Sequence, residues 1–245
     1  MLDQSDSQAL VKELVKNIRN ASKDKFDAAK LINLINLLRA GKSLPVGDLV
    51  EYHELAEVLT PQYEARLKVL GVTDFEGLIL EPLRLFKNHP EVLESVQNQF
   101  LQIMVDEFQD TNLEQMKLIR AISEKHQNLT VVGDDDQSIY GWRGAEIANI
   151  LNFPSDYKNC AVIKLERNYR STTSILDLGN SVIAKNKKRH GKILKSTKGD
   201  QLNDKPEVFV LENEDGRAEA IQCAVAYDRG YLVGVYDRGW EDGLE

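Results

Sequence analysis

The chain has 245 residues, a formal net charge of −8, 42% hydrophobic residues and 29% charged residues. These proportions indicate a folded globular protein, and the length allows one large or two modest domains. No apolar run approaches the length of a membrane-spanning helix, and the beginning, MLDQSDSQAL, does not resemble a secretory signal. Cys160 and Cys223 lie far apart, so we expect free thiols in a reducing, cytoplasmic setting.

The first 90 or so residues are predicted to be helical, because their apolar residues recur at intervals of three and four. One stripe runs from Leu10 to Ile18, a second from Leu31 to Leu38, and a third from Val46 to Leu70, where Pro61 is expected to break or kink the helix. A further helix is predicted over residues 74–86.

From about residue 100, short apolar segments alternate with helical ones. Strands are predicted over residues 100–105, 129–132, 161–165 and 207–211. This alternation predicts an α/β fold, with a parallel sheet that carries helices on both faces. In such sheets the functional residues lie at the carboxyl ends of the strands, and that is where this chain has its acidic clusters.

The first of these clusters is VDEFQDTN, residues 105–112. A pair of carboxylates at a strand end suits Mg²⁺ carrying a nucleotide phosphate, because Mg²⁺ prefers oxygen ligands and needs only one or two carboxylates. Asp106 is therefore a candidate metal ligand, and Glu107 is a candidate for orienting the attacking water. Thr111 and Glu114 fit a capping box for the next helix.

The second cluster is VVGDDDQSIYGWRGA, residues 131–145, which also follows a strand. Gln137 is a neutral side chain suited to sensing a terminal phosphate. Tyr140 and Trp142 are suited to stacking on unpaired bases, although a single Trp is also a common packing residue.

The third cluster is LERNYRST, residues 165–172. Tyr169 is suited to stacking on an adenine, and Arg170 to contacting a γ-phosphate as an arginine finger. Ser171 is a candidate N-cap for the helix that follows. A surface Tyr-Arg pair at a helix entrance is the plainer interpretation.

In this order the three strings resemble motifs II, III and IV of the superfamily-one UvrD/Rep/PcrA DNA helicases, and the resemblance extends over roughly residues 1–226. It implies RecA-like motor domains, ATP and Mg²⁺ as cofactors, and single-stranded DNA and duplex junctions as partners. It also implies roles for individual residues. Asp106 would hold Mg²⁺, Glu107 would activate water, and Gln137 and Arg170 would contact the γ-phosphate. Tyr169 would stack on adenine, and Tyr140 and Trp142 would contact single-stranded bases.

Parts of the family pattern are missing. Gly41-Lys42-Ser43 resembles the end of a phosphate-binding loop, but Asn36 stands where that loop needs its first glycine. Gly41 is better interpreted as a helix C-cap. The expected division is a helical insertion domain (1–70), the second half of a first RecA-like domain (71–158), the start of a second (159–226) and a tail of unknown role (227–245).

The sequence thus predicts an internal part of a 3′-to-5′ helicase of replication or repair that is inactive alone. The alternative is a catalytically dead module that binds single-stranded DNA or a protein. Residues 185–198 hold seven Lys or Arg and no acid, which indicates either a solvated face or a phosphate contact. Exposed sheet edges also favour self-association of such a chain.

Overall fold

A computed structural model describes residues 1–18, 26–45, 50–157 and 159–199 of the chain. The chain divides into two compact units, Met1–Cys160 and Ala161–Glu245, and each is described by itself below. Predictions for residues 207–211, for Cys223 and for the tail lie outside the described residues. No helix among the described residues is both long and apolar enough to cross a membrane.

The first unit begins with three packed helices, which confirm the predicted helical start. They are α1 (Gln4–Lys16), α2 (Ala28–Arg39) and α3 (Val50–Leu70). Their apolar stripes form one core, in which Val11, Ile35 and Leu59 are fully buried. Of the two alternatives predicted at Pro61, the break is wrong, since α3 continues through this residue, and the kink stays a prediction. Buried Leu59 and Tyr63 on either side hold the helix against its neighbours, which offsets the missing proline N–H.

The C-cap of α2 is Ala40, and Gly41, the predicted C-cap, lies one position beyond it in the left-handed turn that ends the helix. Gly41 has φ 71°, and its N–H donates to the carbonyl of Leu38 at 2.9 Å. The Lys42 N–H donates to the carbonyl of Leu37 at 2.9 Å, which completes the turn. The Lys42 ammonium pairs with Glu114 Oε2 at 2.8 Å.

A buried carboxylate joins these helices to the next one. Asp74 accepts hydrogen bonds from Arg39 Nη1 at 2.6 Å, from the Tyr63 hydroxyl at 2.9 Å and from the Gly77 N–H at 2.8 Å. Burial alone would raise the pKa of Asp74, but the hydrogen bond and charge of Arg39 outweigh it and lower that pKa. Burial raises the pKa of Tyr63 to about 12.

The rest of the first unit has helices packed beside a small parallel sheet. Its elements are α4 (Gly77–Asn88), α5 (Pro90–Gln99), β1 (Ile103–Val105), α6 (Leu113–Ser123), β2 (Leu129–Val131) and α7 (Ala148–Asp156). Strands β1 and β2 pair in parallel, with Ile103 opposite Leu129 and Val105 opposite Val131. Parallel pairing and both strand positions were predicted, whereas α5 was not.

Helices cover one face of this sheet, where both faces were expected. Val105, Leu129 and Val131 pack against a core that contains Phe108, Met116 and Phe153. The residues between them point the other way, and Met104 is 69% exposed. The described residues place no helix over that second face.

The second unit contains β3 (Arg167–Asn168), α8 (Thr173–Ile183) and β4 (Lys195–Ser196), with β3 and β4 parallel. The predicted strand at residues 161–165 is wrong. Ile163 and Leu165 are 81% and 74% exposed, and no described strand lies beside them to complete a ladder. The N-cap of α8 is Thr172 instead of the predicted Ser171.

Candidate functional site

The first two motifs lie side by side because they follow paired parallel strands. At the carboxyl ends of β1 and β2, the Val132 N–H donates to the carbonyl of Val105 at 2.8 Å. One step further, the Phe108 N–H donates to the carbonyl of Val132 at 2.9 Å. The loop after β1 and the loop after β2 therefore form one surface, as expected for this edge of a parallel sheet.

Asp106 and Glu107 are both exposed at this surface. Glu107 has φ 50° and ψ 40°, the left-handed conformation that few residues other than glycine adopt, and Asp106 Oδ1 accepts the Glu107 N–H at 2.9 Å. Such backbone costs on the order of 1–3 kcal/mol and is concentrated at functional sites. Both carboxylates line an open cleft of about 400 Å³ that Thr111 and Gln115 border.

The residues at this cleft fit Mg²⁺ bound together with a phosphate. Mg²⁺ typically takes one or two protein carboxylates and completes its shell with waters and phosphate oxygens. Asp106 Oδ1 accepts the Glu107 N–H, while Oδ2 forms no hydrogen bond within the described ranges. The described residues contain no group of three or more His, Cys, Asp or Glu side chains arranged as a metal cage. A pair of carboxylates fits a metal ion whose remaining ligands are waters and phosphate oxygens.

Gln109 links Glu107 to the second motif, and it is only 1% exposed. Its Nε2 donates to Glu107 Oε2 at 2.8 Å, and its Oε1 accepts the Asp134 N–H at 2.9 Å. A buried amide that satisfies both ends in this way holds the carboxylate and the neighbouring loop in one fixed arrangement.

The connection continues from Asp134 to Gln137. Gln137 Nε2 donates to Asp134 Oδ2 at 2.7 Å, and Asp134 Oδ1 accepts the Asp136 N–H at 3.0 Å. Glu107 and Gln137 are therefore connected through two intervening residues, Gln109 and Asp134. Asp134 joins the two halves of this path, because its backbone N–H bonds Gln109 and its carboxylate bonds Gln137.

The helix that follows the first motif is capped by other residues than predicted. Asn112 caps α6 by accepting the Gln115 N–H at 2.9 Å, and Gln115 Oε1 accepts the Asn112 N–H at 2.9 Å. The predicted box of Thr111 and Glu114 is wrong by one position. The Thr111 hydroxyl instead donates to the carbonyl of Phe108 at 2.7 Å, which tightens the preceding turn.

Tyr140 and Trp142 are adjacent aromatic residues on the second loop. Their ring centroids lie 6.4 Å apart at an interplanar angle of 49°, and Trp142 is 74% exposed. An exposed indole is not a core residue, so the packing interpretation of Trp142 does not describe this structure. Exposed aromatic side chains are the kind that stack on unpaired bases.

Tyr169 and Arg170 belong to the second unit. Tyr169 is 70% exposed at the end of β3. The turn that follows is shaped by Asn168, whose Oδ1 accepts the N–H groups of Arg170 at 2.9 Å and Ser171 at 2.7 Å. The backbone carbonyl of Arg170 accepts Lys198 Nζ at 2.9 Å.

Sequence reasoning missed three residues of this region: Gln109, Gly133 and Asn168. A Cβ at Gly133 would lie 2.6 Å from Gln109 Oε1, so glycine is needed for the amide to approach this backbone. The signal available in the sequence was a polar residue, Gln109, two positions after a strand-end carboxylate, together with a glycine at the end of the next strand.

The sequence of this chain is similar to the sequences of known helicases. Residues 1–158 match the model of the UvrD/REP helicase N-terminal domain family. The chain is 40% identical over 209 residues to an ATP-dependent DNA helicase PcrA of Staphylococcus aureus (strain Mu50), which covers 83% of this chain and 28% of that protein.

Two further relatives carry the same name. One, from Leuconostoc citreum, is 39% identical over 209 residues, covering 82% of this chain and 28% of its own length. The other, from Bacillus subtilis (strain 168), is 40% identical over 205 residues, covering 79% and 27%. The chain thus spans less than a third of the length of these relatives.

Proposed function

The chain belongs to the UvrD/REP helicase family, and we propose that it forms part of an ATP-dependent helicase that moves 3′ to 5′ on single-stranded DNA and unwinds duplex junctions. A role in DNA replication or repair and a cytoplasmic location accompany this proposal. The observation that carries it is the hydrogen-bonded path from Glu107 through Gln109 and Asp134 to Gln137. This path leads from the cleft with its carboxylates to the loop that carries the exposed aromatic residues.

In this proposal the residues of the cleft act on the nucleotide. Asp106 would hold Mg²⁺, and Glu107 would orient water and accept its proton. Bound Mg²⁺ would offset charge on the phosphate oxygens. Gln137 and Arg170 would contact the terminal phosphate. Tyr169 would stack on the adenine.

Tyr140 and Trp142 would bind single-stranded DNA by stacking on bases. They follow Gln137 by three and five positions, so a shift of Gln137 on hydrolysis would be transmitted directly to them. Coupling of hydrolysis to movement along the strand would follow from this short connection. ATP, Mg²⁺ and DNA are the ligands that the proposal requires.

The chain by itself is proposed to be inactive as an ATPase. Within the 245 residues, the best candidate for a phosphate-binding lysine is Lys42, and its ammonium is engaged by Glu114 at 2.8 Å. The same observation favours a second candidate function, a module that binds single-stranded DNA or a protein without turnover. The two proposals differ in whether nucleotide alters DNA binding.

The test measures DNA binding by the fluorescence anisotropy of labelled oligothymidylate, so that the readout does not depend on the tryptophans of the chain. Stacking contributes about 1–3 kcal/mol per base, so Trp142→Ala should weaken binding at least fivefold. Trp240→Phe is the matched control. Unchanged affinity in Trp142→Ala would contradict the base-stacking role.

Phosphate release with Mg-ATP and single-stranded DNA provides the complementary test, beside a Glu107→Gln control. We expect no release above that control from the chain alone. Release that Glu107→Gln abolishes would contradict the proposed inactivity. A change in DNA affinity on adding Mg-ATP would favour the motor, and its absence would favour the module without turnover.

A further inference from the structure

Positive charge is concentrated in one described segment, residues 161–199. This segment holds ten Lys or Arg and only two acidic residues, in a chain whose net charge is −8. The acids are Glu166 and Asp177, and Glu166 Oε1 is already used in accepting the Ile193 N–H at 3.0 Å. The basic side chains of the segment therefore greatly outnumber its own counter-charges.

Two of these cations are direct neighbours across a sheet. Arg167 on β3 is the register partner of Lys195 on β4, and both residues are exposed. Register partners in parallel strands project to the same face, and like charges in such positions repel each other. Neither residue forms an ion pair with an acidic side chain within the described ranges. An anion bound between them would relieve this repulsion.

The loop that presents Lys195 is held in place by hydrogen bonds. Asn180 on α8 fixes Leu194 twice, accepting its N–H at 3.2 Å and donating to its carbonyl at 3.0 Å. Lys164 Nζ donates to the carbonyls of His190 at 2.8 Å and Gly191 at 2.7 Å. A preformed backbone lowers the entropy cost of binding, because less of the chain must be ordered.

Further cations follow the end of α8. Lys185, Lys187 and Lys188 are exposed, and none of them pairs with an acidic side chain among the described residues. Basic residues after a helix C-terminus are stabilised there by the helix dipole. Their ammonium groups remain in solvent, where they can contact a polyanion.

We propose that Arg167, Lys195 and the three lysines after α8 form a basic surface that binds the phosphodiester backbone of DNA without reading its sequence. Arginine and lysine are the usual phosphate ligands, and such contacts release counterions and so depend strongly on salt. The choice of DNA as the polyanion rests on the proposed function. The binding itself requires neither ATP hydrolysis nor Trp142.

The experiment measures the affinity of the full chain for fluorescent oligothymidylate and for a duplex of the same length at several salt concentrations. R167Q/K195Q removes two phosphate contacts, so binding should weaken roughly tenfold, and the salt slope should fall by about 1.4 for a single strand or about 1.8 for a duplex. A loss on one of these probes alone identifies the form of DNA that the surface binds.

The matched control is K12Q/K68Q, which removes the same charge from exposed positions on α1 and α3. The charge-conserving variant R167K/K195R should retain binding. If R167Q/K195Q does not fold, K187Q/K188Q tests the same surface after α8. Binding by these variants equal to that of K12Q/K68Q would overturn the proposal, as would a loss of binding to vesicles of anionic lipid without a loss on DNA.

This outcome is distinguishable from failure of the proposed function. If Trp142→Ala binds DNA normally while R167Q/K195Q binds weakly, the basic surface stands and the base-stacking role falls. If the reverse is found, the basic surface falls and the stacking role stands.

Discussion

Gln109 Nε2 lies 2.8 Å from Glu107 Oε2, and this hydrogen bond joins a fully buried amide to an exposed carboxylate. The same side chain accepts the Asp134 N–H at 2.9 Å. Gln109→Ala would leave the Asp134 amide without its acceptor and open a cavity. We expect the free energy of unfolding to fall by about 1–3 kcal/mol, measured by urea denaturation of the first unit.

Gln102→Ala is the matched control, because Gln102 is exposed just before β1 and should tolerate the change. Hydrogen exchange adds a local readout. The peptide that contains Asp134 should exchange faster in Gln109→Ala and at the normal rate in the control. Equal exchange in both variants would refute the bridging role of Gln109.

Gly133 is predicted to be intolerant of any side chain. A Cβ there would lie 2.6 Å from Gln109 Oε1 and 2.9 Å from Ile150 Cδ1. Gly133→Ala should therefore displace the amide and cost about 1–3 kcal/mol of stability through overpacking. Gly141→Ala, in the same loop region, meets no atom within 4 Å and serves as the control in a thermal melt. Equal melting temperatures would show that the backbone gives way without cost.

Lys42 tests the interpretation of Gly41-Lys42-Ser43 as a helix end. Its partner Glu114 has a side chain that is 6% exposed, while the Lys42 side chain is 37% exposed. Lys42→Met should cost about 1–2 kcal/mol, less than a fully buried pair, because solvent screens the lysine and Lys117 lies 3.7 Å from the same carboxylate. Binding of Mg-ATP should not change.

A loss of nucleotide affinity in Lys42→Met, with stability intact, would instead make Lys42 a phosphate ligand. Lys68→Met, on the exposed side of α3, is the matched control for removing a lysine charge. Isothermal titration with Mg-ATP and urea denaturation separate the two roles.

The carboxylates and aromatic residues of these two loops could be predicted from the sequence, but the hydrogen bonds that join the loops could not. The carboxylates after β1 and the aromatic residues after β2 follow from strand-end positions, because parallel neighbours bring those ends together. The bridge through Gln109 does not, since its partners are a carboxylate two residues away and a backbone amide 25 residues away. The pairing of Val105 with Val131 brings Gln109 and Asp134 close together in space, although they lie far apart in the sequence.

The fold, like the site, could be predicted only in part from the sequence. Helical periodicity predicts α1 to α3 well, because each buries one stripe in a shared core. The apolar segment at residues 161–165 was predicted as a strand, but strands require partners, and a local pattern does not reveal whether one is present. Likewise Asn112 and Thr111 are both good capping residues, and tertiary packing decides between them.

The stability of the first unit should depend on pH because Asp74 titrates at a different pH in the folded and unfolded chain. Its pKa is lowered in the folded chain, where Arg39 outweighs the effect of burial. The folded state therefore gains stability from this carboxylate above the ordinary pKa of 3.8 and loses it as pH falls through the lower folded value. Asp74→Asn should reduce the free energy of unfolding at pH 7. It should also weaken the loss of stability in acid, as measured by urea denaturation at a series of pH values.

The same experiment should show the opposite dependence of stability on pH for Glu76. Burial, and then the charge of Asp74, raise the pKa of Glu76, so its ionised form destabilises the folded chain above that pKa. Glu76→Gln should therefore increase stability at neutral pH and change it little in acid. Identical pH profiles for Asp74→Asn and Glu76→Gln would contradict the assignment of both carboxylates.

Self-association is expected to proceed through the uncovered face and edges of the β1–β2 sheet. Within the described residues neither strand has a partner on its outer edge, and Met104 is 69% exposed on the uncovered face. Unpaired edges of this kind pair with other chains. Sedimentation velocity should show a mass that rises with concentration, and Met104→Lys should shift it toward the monomer. Val69→Lys is the control, because Val69 is 77% exposed on a helix that offers no unpaired backbone. An equal shift in both variants would indicate a general effect of charge instead of association through the sheet.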